Sequence, residues 1–129
     1  MEMFELKVKT DFAAAHKLTM VGEKCENLHG HNWNIEVYVT GEKLNSAGVL
    51  VDFGEIKRCV REIMKDLDHK YLNELEAFST VQPSSEQIAI YIADRLQAFL
   101  DKLGEPVRVS RVSAWESANA CATYMPEMK

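Results

Sequence analysis

Two histidines separated by one glycine, His29 and His31, form an H-x-H pair, and a third histidine, His16, lies upstream. Alternate residues of a strand leave the same face, so the pair can meet a third ligand from a neighbouring strand. His16 is the obvious third, because it ends a run that alternates through Phe4, Leu6, Val8, Thr10, Phe12 and Ala14. Read singly, each is equally an ordinary core histidine. Together they cannot easily satisfy one another, since a buried neutral imidazole needs both a donor and an acceptor partner. A zinc ion accepts all three lone pairs at about 2.0–2.1 Å and leaves each remaining N–H for a carbonyl or carboxylate. Three histidines without an evident fourth protein ligand leave one coordination position open to water or a substrate oxygen, which is a catalytic arrangement. Cys25 is the one candidate for closing it as a fourth ligand and making the zinc structural; otherwise it is a free thiol beside the metal.

The fourth histidine, His69, follows Asp68 directly in LDHKYLN. Alone it is a helix-end histidine beside a solvated carboxylate; as a proton-transfer pair the two would activate a thiol, because a free cysteine is only slightly ionised at neutral pH. Of the three thiols, Cys59 falls in an apolar helical stripe and Cys121 in a short strand, so both are expected to pack. Cys25, in a polar loop next to the histidines, is the thiol expected to meet a substrate.

These residues need two strands to hold them. The first is expected over Phe4 to His16 and the second over Leu28 to Thr40, with His29, His31, Trp33, Ile35, Val37 and Val39 on one face. A polar loop, Thr19 to Asn27, joins them. A helix should begin after Asp52, capped by that side chain while Glu55 reaches back, with Ile56, Val60, Ile63, Met64 and Leu67 as its apolar stripe. A second starts after Pro83, Ser84 and Ser85, carries Ile88, Ile92, Leu96, Phe99 and Leu103 inward, and stops at Gly104. Val107 to Trp115 reads as a strand with a bulge, because its apolar phase shifts, and Ala120 to Met125 as a short last strand. The order ββααββ implies an α+β fold, a four-stranded antiparallel sheet with two helices on one face, in a single domain spanning residues 1–129.

The bulk properties agree. A chain of 129 residues that is 47% hydrophobic suits one core. The absence of a long apolar run or signal-like N-terminus predicts a cytoplasmic protein with no membrane partner, and three irregularly spaced cysteines predict reduced thiols. The net charge of -5 argues against a nucleic-acid partner.

C-E-N-L-H-G-H at 25–31, L-D-H at 67–69, P-S-S-E at 83–86 and Glu116 near the end of a late strand together resemble the 6-pyruvoyl-tetrahydropterin synthase and 6-carboxy-tetrahydropterin synthase family of the tunnelling fold. The resemblance implies subunits assembled into a β-barrel, commonly a homohexamer, with active sites at subunit interfaces and a small-molecule pterin triphosphate, 7,8-dihydroneopterin triphosphate, as substrate. It implies that His16, His29 and His31 hold Zn2+ and that Cys25, Asp68 and His69 form a proton-transfer triad. Glu116 then anchors the amino edge of the pterin through paired hydrogen bonds, though by itself it is equally an edge-strand surface carboxylate. Ser84 and Ser85 stand where threonines line the pterin, a small departure, and equally suit helix capping. Lys17 and Lys24 are nearby candidates for the triphosphate.

The short chain and compact stretch between Leu18 and Cys25 favour the bacterial branch, which forms 6-carboxy-5,6,7,8-tetrahydropterin and acetaldehyde for queuosine synthesis. The alternatives are the animal-type branch, forming 6-pyruvoyl-tetrahydropterin, and a folate branch that cleaves the side chain to 6-hydroxymethyl-dihydropterin. Having both Cys25 and Glu26 resembles a dual-type subgroup in which Glu26 is a second base; the alternative is a solvated loop residue. A different class, a non-catalytic zinc- or pterin-binding module, also fits the histidines.

Overall fold

The computed structural model describes residues 2–19 and 28–127, so Cys25, Glu26 and the expected loop beyond Thr19 lie outside the described residues. Strands β1 (Phe4–His16) and β2 (His29–Gly41) pair antiparallel in unbroken register from Phe4 opposite Gly41 to His16 opposite His29. Alternation sends Val8, Phe12, Ala14 and His16 inward from β1, and Trp33, Ile35, Val37 and Val39 from β2. Strand β4 (Arg108–Ser117) pairs with β2, and β5 (Ala120–Tyr124) with β4, both antiparallel. The expected bulge is Ser110: Tyr38 opposes Arg111 while Val39 opposes Val109, and this extra residue restores Val112 and Ala114 to the inner face.

Helices α1 (Phe53–Leu67) and α2 (Ser85–Lys102) cover that inner face. The stripe of α1 is buried as its spacing requires, with Cys59 packed among it. The cap is different. The Asp52 carboxylate makes no capping bond, and Glu55 pairs instead with Arg58 one turn along, so the capping box does not form. At α2 the cap is real, with Ser84 Oγ accepting from Gln87 N at 3.2 Å. Its inward residues are Ile88, Ile92, Leu96 and Leu100; Phe99 is only half-buried, and Leu103 is 43% exposed because it lies beyond the last helical turn. Gly104 follows with φ 76°, the left-handed geometry of a helix terminator.

The sheet departs from the four-stranded antiparallel form. It has five strands in the order β3-β1-β2-β4-β5, and β3 (Lys70–Tyr71) runs parallel to β1 at Ala14 and Ala15. The cause is local: His69, with φ 58°, turns the chain sharply after α1 and lays the next two residues along β1. Two residues are too few for any periodic pattern. Two single-turn 3-10 helices, Leu72–Glu74 and Glu76–Phe78, complete the connection to α2. Among the described residues, no helix is long and apolar enough to cross a membrane.

Candidate metal centre and catalytic site

The register of β1 and β2 builds the histidine cluster. Directly opposed residues of an antiparallel pair share a face, so His16 confronts His29, and His31, opposite Ala14, is its diagonal neighbour. His16 is 1% exposed, and its Nδ1 lies 2.8 Å from the carbonyl of Pro83. A carbonyl only accepts, so Nδ1 donates, and the tautomer with its one proton there turns a bare lone pair at Nε2 into the cluster. That Nε2 lies 2.9 Å from His29 Nε2. Trp33 forms an apolar wall, its ring edge-on to His16 and His31.

Glu116 completes the group. Its Oε1 lies 2.8 Å from His31 Nε2, 3.4 Å from His16 Nε2 and 3.8 Å from His29 Nε2. Tetrahedral ligands at about 2.0–2.1 Å from zinc stand about 3.3 Å from one another. The observed separations bracket that value, and the four ligand atoms all lie within 4.8 Å of one another. Three imidazole nitrogens, one of them with its lone pair fixed by an outer hydrogen bond, and a carboxylate oxygen are a donor set suited to zinc.

The three histidines are legible in the sequence as a group, and Glu116 is the member of the cluster that was not expected there. Its signal was available in part: Glu116 follows Val112 and Ala114 in period two, so it shares their inward face. A register shift between Trp115 and Ser117 leaves Glu116 as the extra residue against β5, and such bulges re-aim side chains. The carbonyl of Pro83 carried no sequence signal, because a backbone acceptor is specified only by the fold.

Asp68 and His69 are brought together at the end of α1. Asp68 Oδ2 lies 2.8 Å from His69 Nδ1, and Oδ1 accepts from Ala13 N at 2.9 Å. The Ala13 N–H, aided by His69 and only partly opposed by desolvation, holds the Asp68 carboxyl below the usual carboxylate range. His69 N in turn donates to Ala13 O. The imidazole is 82% exposed, and its described contacts are these partners rather than the histidine cluster. Ser84 and Ser85 are half-buried and directly follow Pro83, whose carbonyl holds His16. Cys59 is buried, and burial pushes its thiol pKa up, as expected of a packing residue. Cys121 is exposed instead of packed, because it lies opposite Trp115, on the sheet face away from the helices.

The family model described as 6-pyruvoyl tetrahydropterin synthase matches residues 5–127. The protein belongs to that family. It is accordingly a lyase-type enzyme of pterin chemistry, which removes the non-catalytic module as an alternative. Within the family, it is 35% identical over 108 residues to the dihydroneopterin monophosphate aldolase of Pyrococcus furiosus, a match spanning 84% of this protein and 85% of that one. It is 31% identical to the 6-carboxy-5,6,7,8-tetrahydropterin synthase of Bacillus subtilis, over 96% of this protein and 86% of that one. The structure of 6-pyruvoyl tetrahydropterin synthase from Caenorhabditis elegans matches with a TM-score of 0.84 over 98% of both proteins at 24% identity, which establishes the shared tunnelling-type fold.

Proposed function

We propose that this protein is a zinc-dependent lyase converting 7,8-dihydroneopterin triphosphate to 6-carboxy-5,6,7,8-tetrahydropterin, acetaldehyde and triphosphate, a step toward queuosine. The observation that carries this reading is the cluster of His16, His29, His31 and Glu116 in a member of this family. The nearly full-length similarity to the Bacillus subtilis synthase favours the carboxy product.

His16, His29 and His31 would hold zinc, which when bound would supply Lewis-acid polarisation of the oxygens on the substrate's C6 substituent. Cys25, as thiolate, takes a proton from a C–H group of that substituent. His69, its Nδ1 held by Asp68, withdraws the thiol proton and returns protons to the hydroxyl groups. Ser84 and Ser85 flank the pterin from the start of α2. For Glu116 the distances favour a second reading over the amino-edge anchor, since contact with the metal-binding nitrogens puts it at the C6 end of the bicycle. There its carboxylate would join the three histidines in holding the metal. We assign the enzyme to the cytoplasm as a homohexamer.

A second product is favoured by a specific observation. The Pyrococcus furiosus relative is a dihydroneopterin monophosphate aldolase, and Glu26 beside Cys25 offers a second base for cleavage to 6-hydroxymethyl-dihydropterin, as in the dual-type subgroup. Incubating the purified zinc protein with dihydroneopterin triphosphate, and separately with the monophosphate, and weighing the products distinguishes the carboxy, pyruvoyl and hydroxymethyl outcomes. Absence of any pterin product overturns the proposal.

A further inference from the structure

The outer edge of β1 is closed near the metal centre by a succession of unlike groups. Residues 13, 15, 17 and 19 turn their backbone N–H and C=O to one edge of an extended strand, away from β2. At Ala13 both groups are taken, by the Asp68 carboxylate and by His69 N. At Ala14 and Ala15 the partner is β3. Beyond β3, among the described residues, no backbone strand follows, and two side-chain amides replace it. Lys17 N donates to Asn73 Oδ1 at 2.8 Å, while Asn73 Nδ2 donates to Lys17 O at 2.7 Å. Two residues on, Thr19 N donates to Gln82 Oε1 at 2.7 Å, and Gln82 Nε2 donates to Thr19 O. A carboxamide presents one acceptor and a donor side by side, so each mimics the peptide group of a missing strand.

His16 stands between Ala15 and Lys17, inside this closed edge. Its imidazole is oriented by the carbonyl of Pro83, the residue directly after Gln82. The same clamp therefore fixes the ligand's backbone and the acceptor that holds its outer nitrogen. We propose that Asn73 and Gln82 are positioning residues for the metal centre: their amides stand in for a strand and hold His16 and Pro83 in the arrangement that aims His16 Nε2 into the cluster. The proposal rests on the metal reading of that cluster. It gives LDHKYLN a function for its last residue as well as for its Asp68-His69 pair.

The test replaces the amides with apolar side chains of similar size, Asn73→Leu and Gln82→Met, singly and together. Gln82 is exposed, so its single variant provides a folded protein even where Asn73→Leu does not. Two readouts separate positioning from plain stabilisation: the rate at which the loaded protein surrenders zinc to a chromogenic chelator, and the rise in melting temperature on adding zinc to the metal-free protein. Outer partners of metal ligands are worth about 10–100-fold in affinity. We expect zinc release to quicken by about 10-fold or more and the zinc-induced rise to shrink, more in the double variant than in either single one. Release at the wild-type rate with the full zinc-induced rise, whatever the melting temperature of the metal-free form, overturns the proposal. Wild-type protein that takes up no zinc overturns the metal reading itself, and the clamp's role with it.

Discussion

The three clustered histidines are unequal. His16 is buried and tied to a carbonyl, whereas His29 and His31 keep part of their surface. Removing His31 takes away the imidazole nearest Glu116 and leaves two imidazoles and a carboxylate whose closest partner in the cluster is gone. His31→Ala is therefore expected to lose stoichiometric zinc by elemental analysis and turnover together, and retention of both contradicts the assignment. Glu116→Gln keeps volume and removes charge. As a fourth ligand its loss weakens zinc in chelator competition, by a factor of about 10 or more on the scale of metal-site mutations, whereas a pterin anchor would raise KM and leave zinc affinity alone. For Cys25 and Glu26, thiolate and carboxylate differ in basicity and reach, so each is expected to deprotonate a different atom. Cys25→Ala should abolish 6-carboxy-tetrahydropterin while sparing some hydroxymethyl product, and Glu26→Ala the reverse; a hydroxymethyl product from none of the three proteins returns Glu26 to an ordinary loop residue. At this scale the sequence was most legible where chemistry and periodicity coincide. His16, His29 and His31 are in phase with their strands and the structure brings them together, while Glu116, in phase with Val112 and Ala114, was aimed by a bulge that its spacing did not announce.

At the scale of elements, the long periodic segments were readable because burial on one face imposes their pattern: both long strands, both helices and the Ser110 bulge lie where the apolar phase puts them. What escaped was set by contacts rather than pattern. The parallel β3 depends on a left-handed turn at His69, and the amide clamp depends on two side chains meeting a distant backbone. Caps divide along the same line. Asp52 and Ser84 precede their helices with equally good capping chemistry, but only Ser84 makes the bond. Ser84→Ala is accordingly expected to cost about 1 kcal/mol, while Asp52→Ala should stay within about 0.5 kcal/mol, as surface changes usually do. Urea unfolding of both variants checks the contrast, and equal losses refute it.

At the scale of the whole molecule, two features fit assembly with a second copy. Among the described residues, β1 meets another strand on its outer side only at Ala14 and Ala15, with Ala13 held by Asp68 and His69, and β5 is the last strand of the sheet, so the rest of β1 and the far side of β5 offer edges to a further strand. Exposed Phe4, Leu44, Val49 and Phe53 lie beside the first of these edges. Pairing β1 of one subunit with β5 of the next would close a barrel, and the expected state is a homo-oligomer, six by the resemblance to the family; a monomeric mass in solution with full activity contradicts this. The second concerns His69, whose Nδ1 is held by Asp68 and whose ring is otherwise exposed, while the histidine cluster lies beside Pro83 at the start of α2. On the relay role proposed for it, His69 exposed in this way would serve a site on a neighbouring subunit. That arrangement predicts complementation between two inactive proteins. His31→Ala subunits retain the relay, and His69→Ala subunits retain the metal ligands, so a site formed between one of each is whole. Dissociating the two variants and reassembling them in equal amounts should restore about a quarter of wild-type activity, the share of interfaces that unite the two intact halves at random. Mixing without dissociation should restore none. If the reassembled mixture stays inactive while wild-type protein survives the same treatment, the relay and the metal centre act within one subunit.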